Sequence, residues 1–164
     1  MSQLSPQESE ERVLIMERLR SLSTLLDNSI TIPGTSYRIG LDPFLGLLPG
    51  IGDYAGAAIS AFIVIQGARL GASRATLTRM VTNIVIESLA GSIPLLGDIF
   101  DAGWKANLKN VALLENHVKS SPQRKKADTW FLFLLLAVLA SVVILTTTIF
   151  IIILSLIWRM IQGI

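Results

Sequence analysis

Two patterns of apolar residues run along this chain, and they predict two kinds of helix. From residue 8 to 27 the apolar positions are periodic. Ile15, Leu19, Leu22 and Leu26 recur at spacings of four, three and four, which lines one side of a helix. Glu8, Glu10, Glu11, Arg12, Glu17, Arg18 and Arg20 fall mostly on the other sides. Such a helix is expected to dock on its own domain, with a partner helix or a membrane surface as the alternatives. The acidic first turn argues against the surface, because interfacial helices favour Lys and Arg. Elsewhere the periodicity disappears. Tyr54 to Ala68 carries no charge and is apolar on every side, so it must be buried in protein or lipid. Trp130 to Trp158 extends that pattern over 29 residues without one charged side chain. About 20 apolar residues cross a bilayer core, so this stretch is predicted to be a transmembrane helix. It would reach about 43 Å at 1.5 Å per residue. That exceeds the ~30 Å of hydrocarbon, so tilt or protrusion is expected, and two crossings would not fit.

The intervening segments are also helical in pattern. Asp27 to Ser36 holds turn chemistry, with Pro33-Gly34 as a type II turn signature. A helix is predicted from Arg74 to Ile93, carrying Asn83 and Glu87 among apolar residues. A later helix has a wet side at Asp101, Lys105, Lys109 and Glu115, and buries Ile99, Ala102, Ala106, Val111 and Leu113-Leu114. Residues 119–129 form a linker holding Arg124, Lys125 and Lys126.

One short pattern occurs twice. Gly46-Leu47-Leu48-Pro49-Gly50-Ile51-Gly52-Asp53 is echoed by Gly91-Ser92-Ile93-Pro94-Leu95-Leu96-Gly97-Asp98, offset by 45 residues. At the same offset Ile39 aligns with Ile84, Leu41 with Ile86 and Asp42 with Glu87. Pro49 and Pro94 cannot continue a helix. Gly52 and Gly97 suit a tight turn, and Asp53 and Asp98 are each placed to N-cap the next helix. The expectation is a duplicated helix-break-helix core. Gly52, Gly56 and Ser60, spaced by four, form a small-residue face on which another helix can pack closely.

Composition narrows the function classes. Hydrophobic residues make up 51% of the chain and charged residues 16%, against ~25% charged in soluble domains. Both figures point toward a membrane. A net charge of +2 with no basic stripe argues against nucleic acid. With no Cys and one His, His117, thiolate and His-rich metal sites are excluded. Residues 2–12 are too acidic for a cleavable signal peptide. Pro49-Gly50-Ile51-Gly52-Asp53 lacks the Gly-Lys-Ser/Thr of a phosphate loop, and His117 has no nucleophile elbow to serve. No catalytic residue, cofactor or metal site is expected, although Asp98 with Asp101 is a conceivable hard-cation pair.

The residues from Tyr37-Arg38-Ile39-Gly40-Leu41-Asp42-Pro43 to Gly52-Asp53 carry a resemblance. With Arg79-Met80, Asn83 and Pro94-Leu95-Leu96-Gly97-Asp98-Ile99-Phe100-Asp101, they resemble domain-of-unknown-function family 4112. Lys105, Asn107, Asn110 and Leu113-Leu114-Glu115 extend the likeness, which covers about residues 25–117. Glu87 stands where the family carries Asp. The resemblance implies a small, helical, hydrophobic domain with no established activity, and it leaves the lipid-spanning tail as an appended anchor.

Asp42 and Glu87 stand among apolar neighbours on the segments leading into the two breaks. A buried lone anion costs several kcal/mol, so each needs a partner or a proton. The readings are a clasp joining the two halves, a proton or cation site, or a solvent-facing pair. Arg38, Arg79 and Lys105 are candidate partners, as are the turn N–H groups of the opposite repeat.

The chain is therefore expected to be all-α. Residues 1–36 give an amphipathic helix and turn, 37–118 a duplicated core, 119–129 a basic linker, 130–158 a transmembrane helix and 159–164 a short tail. Arg124, Lys125 and Lys126 before the span outweigh Arg159 after it, which places residues 1–129 in the cytoplasm. The expected role is non-enzymatic: an integral membrane protein acting by assembly, as a homo-oligomer or an accessory subunit of a larger membrane complex. The alternative is proton or cation handling by Asp42 and Glu87.

Overall fold

The computed structural model describes residues 5–31, 33–35, 38–41, 51–91, 104–120 and 128–163. Among them the chain is all-α, with five helices and one very short antiparallel hairpin. Helix α1 spans Pro6–Asn28 and starts two residues before the apolar period does. Its start is set by a capping box. Ser5 Oγ accepts from the Glu8 N–H at 3.2 Å, and Glu8 Oε2 accepts from the Ser5 N–H at 2.9 Å. Pro6 sits at the first helical position, where its missing N–H costs nothing. The predicted stripe is present: Leu19 and Leu26 are buried, while Ile15 and Leu22 pack half-buried against the core.

After α1 the turn chemistry builds a hairpin. Strand β1 (Ile30–Thr31) pairs with β2 (Arg38–Ile39), Ile30 opposite Ile39 and Thr31 opposite Arg38. Gly34, following Pro33, has φ of +81°, the backbone a type II turn requires. The return strand lies hard against the end of α1. A Cβ on Gly40 would stand 1.3 Å from the Leu26 carbonyl oxygen, so only glycine fits there. Leu41 N–H then donates to Leu25 O at 3.2 Å.

Helices α2 (Ile51–Arg69) and α3 (Arg74–Gly91) form an antiparallel pair. The turn between them closes α2 with Ala72 N–H to Gly67 O at 2.9 Å and Gly71 N–H to Ala68 O at 3.0 Å. Gly71 takes φ of +84°, completing a Schellman cap. Ser73 then caps α3, its Oγ accepting from Thr76 N–H at 3.1 Å. Helix α4 spans Ala106–Ser120 and α5 Thr129–Gln162.

The helices stack in layers. α4 packs on α1, α3 and α2, whereas α5 packs on α3 and α2 from their other side. Between them lies one core of Ile63, Val64, Leu77, Met80, Val81, Ile84, Val111 and Leu114, joined by Met16 and Leu19 from α1 and Leu135 and Leu139 from α5. Gly67 lets α4 approach closely, since a Cβ there would meet Leu114 Cδ2 at 2.8 Å.

The expected duplication is not reproduced by the described backbone. Ile39 is a strand residue and its counterpart Ile84 lies in α3; Leu41 is in a bend and Ile86 in a helix. Downstream, α2 is unbroken through Ser60, but the equivalent position, Lys105, interrupts the helix with φ of +51°. The hairpin explains the first difference. Its return strand is fixed to α1 through Gly40 and Leu41, so those residues cannot join a helix. The helical backbone already includes Ile51, Gly52 and Asp53, which places Asp53 within α2 rather than ahead of it. Asp42, Pro49, Pro94, Gly97, Asp98, Asp101, Arg124, Lys125 and Lys126 lie outside the described residues.

Candidate functional site

Every helix ends with backbone groups that its own hydrogen bonds cannot satisfy. In this domain two of those ends meet charged side chains from other helices. At the start of α4 the donors are free N–H groups carrying the positive end of the helix dipole. Glu87 of α3 takes one: its Oε1 accepts from Ala106 N–H at 3.0 Å. Asp27 of α1 takes another, with Oδ2 accepting from Leu108 N–H at 2.8 Å. The Asp27 side chain is only 5% exposed, and its Oδ1 accepts from Asn107 Nδ2 at 2.9 Å. Asn107 in turn accepts from Ser60 Oγ at 2.8 Å. Lys105, in its left-handed conformation, reaches back to Asn28 Oδ1 at 2.7 Å. That backbone costs roughly 1–2 kcal/mol for a residue other than glycine, and it lets α4 start at the depth where both acids meet it.

A parallel chain of amides joins α3 to α4. Asn83 Nδ2 donates to Asn110 Oδ1 at 2.8 Å, and Asn110 Nδ2 donates to Met80 O at 3.1 Å. Trp104 Nε1 donates to Asn83 O at 3.0 Å, and Lys109 Nζ sits 3.1 Å from the centre of the Trp104 ring. Asn107 and Asn110 are as buried as the leucines around them. Paired in this way, buried amides fix one register, because any slip would strand their donors in an apolar interior.

At the opposite end of the domain the charge is reversed. The C-terminus of α2 presents the carbonyls of Leu70 and Gly71, where the dipole is negative. Arg12 of α1 donates to Leu70 O at 2.8 Å, and His117 of α4 donates from Nε2 to Gly71 O at 2.9 Å. So α1 carries a cation for one helix end and an anion for another, about 22 Å apart along its axis. The Arg20–Glu115 ion pair between α1 and α4 lies between them.

Of the sequence candidates, Glu87 is found in a half-buried cap that it shares with Asp27, while Asp42 lies outside the described residues. Ser60 faces inward to Asn107, whereas a Cβ at Gly56 would meet nothing within 4 Å. The predicted small-residue face is therefore filled by α4 at Ser60 and open at Gly56. Arg12 and Asp27 were missed, the first assigned to the wet sides and the second to a turn. A signal for Arg12 was present: Arg12, Met16, Leu19, Ser23 and Leu26 share one helical phase, so a charged residue stood in the buried register. Among the described residues, no group of three or more His, Asp or Glu is placed to hold a metal ion.

Helix α5 presents a different kind of site. It begins at Asp128, whose carboxylate accepts from Phe131 N–H at 3.2 Å and pairs with Arg74 at the start of α3. The Phe131 N–H, and after it Arg74, hold this carboxyl below its usual range. Arg74 also lies 5.3 Å from the centre of the Phe131 ring. From there Phe131, Leu132, Leu135, Leu136 and Leu139 pack on the core. The half-buried side continues through Val142, Val143, Thr146 and Thr147, where the Thr147 Oγ1 is buried with no hydrogen-bond partner. Every residue from Thr148 to Gly163 is exposed. Thr129–Gln162 is long and apolar enough to cross a membrane.

Curated proteins and solved structures yield no match to the chain. The region from the middle of α1 to the end of α4, residues 15–118, matches the family model described as Domain of unknown function (DUF4112), which reaches ten residues further toward the N-terminus than the motifs alone indicated and leaves α5 outside. This chain belongs to that family.

Proposed function

We propose that this is a non-enzymatic integral membrane protein: a helical domain held at a cytoplasmic membrane face by α5, acting by assembly as a homo-oligomer or an accessory subunit of a larger membrane complex. One observation carries the reading. Sixteen consecutive residues, Thr148 to Gly163, are exposed on all sides, and Arg159 supplies their single charge. In water that helix would leave Ile151, Ile153, Leu154, Leu156 and Ile157 bare, a patch far larger than soluble monomers tolerate. Lipid or a neighbouring α5 removes the cost. The basic run Arg124-Lys125-Lys126 ahead of the span supports the cytoplasmic placement of residues 1–129.

The buried polar bonds around Asp27 and Glu87 support a scaffold rather than an ion path, since Glu87 holds a helix start in place. Two measurements test the proposal. Full-length protein should stay with membranes through alkaline carbonate extraction. A double variant, Ile149→Lys with Ile153→Lys, should be released, because each central Lys costs insertion roughly 2.5–3.5 kcal/mol. Release of the unaltered chain would overturn the membrane reading. Assembly is tested separately, by cross-linking in native membranes; a chain recovered only as a monomer with no partner would remove that half.

A further inference from the structure

The bare part of α5 is too short to cross a bilayer alone, and this fixes where the domain must sit. Its sixteen residues reach about 24 Å, while the hydrocarbon core is ~30 Å thick. Trp favours membrane interfaces, and measured only as far as Trp158 the free length falls to about 16 Å. Some of the missing 6 to 14 Å, roughly, must come from the stretch of α5 that is packed on α2 and α3. Polarity agrees, because nothing changes on the outer side of α5 at Thr148. Phe133, Leu134, Val138, Ile144 and Leu145 are already exposed before it.

The helix directions identify the part of the domain beside that stretch. α5 and α3 start together at the Arg74–Asp128 contact and pack along one another. The end of α3 therefore lies level with Thr146 and Thr147, as does the start of the antiparallel α2. At this level the exposed large side chains of α2 and α3 are Tyr54 and Leu89. The described basic residues of the pair, Arg69, Arg74 and Arg79, all lie toward the other end; of its acids, Glu87 is turned into the α4 cap and Asp53 stands in the first turn of α2, beside Tyr54.

Resting on the membrane reading above, we infer that the domain is not held clear of the bilayer on a stalk. The end formed by the start of α2 and the last turn of α3 is itself immersed in lipid, with Tyr54 and Leu89 in contact with acyl chains or the interface. The α2–α3 turn, with Arg69 and Arg74, points to water. Lipid is thus the occupant of the apolar face at Tyr54 and Leu89, and α5 enters the bilayer still docked.

The chain has no cysteine, so single labels are unique. Full-length protein carrying Tyr54→Cys, Leu89→Cys, Ser73→Cys or Ile153→Cys is labelled with a polarity-sensitive fluorophore. Each is reconstituted into phosphatidylcholine vesicles containing a minority of phosphatidylglycerol, with or without spin-labelled lipid. All four positions are exposed or lie beyond the core, and Ser73→Cys gives up only the α3 cap, so folding should survive. Labels at 54, 89 and 153 should emit as in an apolar medium and be quenched several-fold more strongly by spin-labelled lipid than the label at 73. Lipid contact at 153 with water contact at 54 and 89 would overturn the immersion while leaving the membrane reading standing. Water at 153 would remove both, and lipid at 73 would overturn the immersion of one end in favour of a fully embedded domain.

Discussion

The two faces of the α2–α3 pair are covered by different means. On one side α1 and α4 are tied down by buried and half-buried polar bonds: Asp27 and Glu87 to the start of α4, Arg12 and His117 to the end of α2, and Asn83, Asn107 and Asn110 between. On the other side α5 is held by leucines and valines and, among the described residues, by a polar link at its N-cap, Asp128. Apolar contact is non-directional and tolerates sliding, whereas a buried donor has one acceptor at one distance. The α1–α4 side is therefore the fixed frame. The α5 side is a greasy seam, suited to the proposed role of α5 as a membrane helix.

The sharpest way to break the frame is Asp27→Ala. It leaves the Asn107 amide and the Leu108 N–H buried without an acceptor, at about 1–3 kcal/mol each, so a loss of about 4 kcal/mol is expected in denaturant unfolding of the detergent-solubilised protein. Next come paired core deletions. Leu114→Ala, within the frame, should cost about 3 kcal/mol and lower the main unfolding transition. Leu139→Ala should cost about 2 kcal/mol and chiefly loosen α5, seen as faster proteolysis after residue 128 with the main transition little changed. Equal effects on both readouts would mean that the two faces are one cooperative unit. Glu87→Gln keeps an acceptor for Ala106 but removes charge from a helix start, so about 1 kcal/mol is expected. A proton-transport role would instead require vesicle pH-gradient leakage that this variant abolishes.

The smallest effect concerns the polar link of α5. The Asp128 carboxyl is depressed in the folded state, so its contribution is present above the ordinary 3.8 and is lost as pH falls through the lower folded value. Arg74→Ala should move the Asp128 titration upward without removing all of the depression, because the Phe131 N–H remains and is the larger cause. Titration by NMR checks this, and an unchanged Asp128 would show the ion pair to be idle.

How much was legible depended on what each residue answers to. The uncharged run from Trp130 onward could be read directly, as could the amphipathic phase of α1 and the Pro33-Gly34 turn, because each is a local property. The duplication expected from the repeated Pro/Gly pattern is not confirmed by the residues described on either side of it. Ile39 and Ile84 are alike in type, but one is drawn into a hairpin by Gly40 against Leu26 and the other continues a helix. Asp27 looked like turn chemistry because its partners, Asn107 and Leu108, are some eighty residues away.

By itself the order of amino acids determined that this chain is helical, that its last described helix is long and apolar enough to cross a membrane, and which side of α1 is buried. These rest on short-range backbone preference and on the cost of exposing hydrocarbon, neither of which depends on what lies opposite. Only the tertiary structure decided which charged side chains close which helix ends, and how much of α5 is left bare. A cap is defined by the element that passes within 3 Å of it, and a free length by where packing stops.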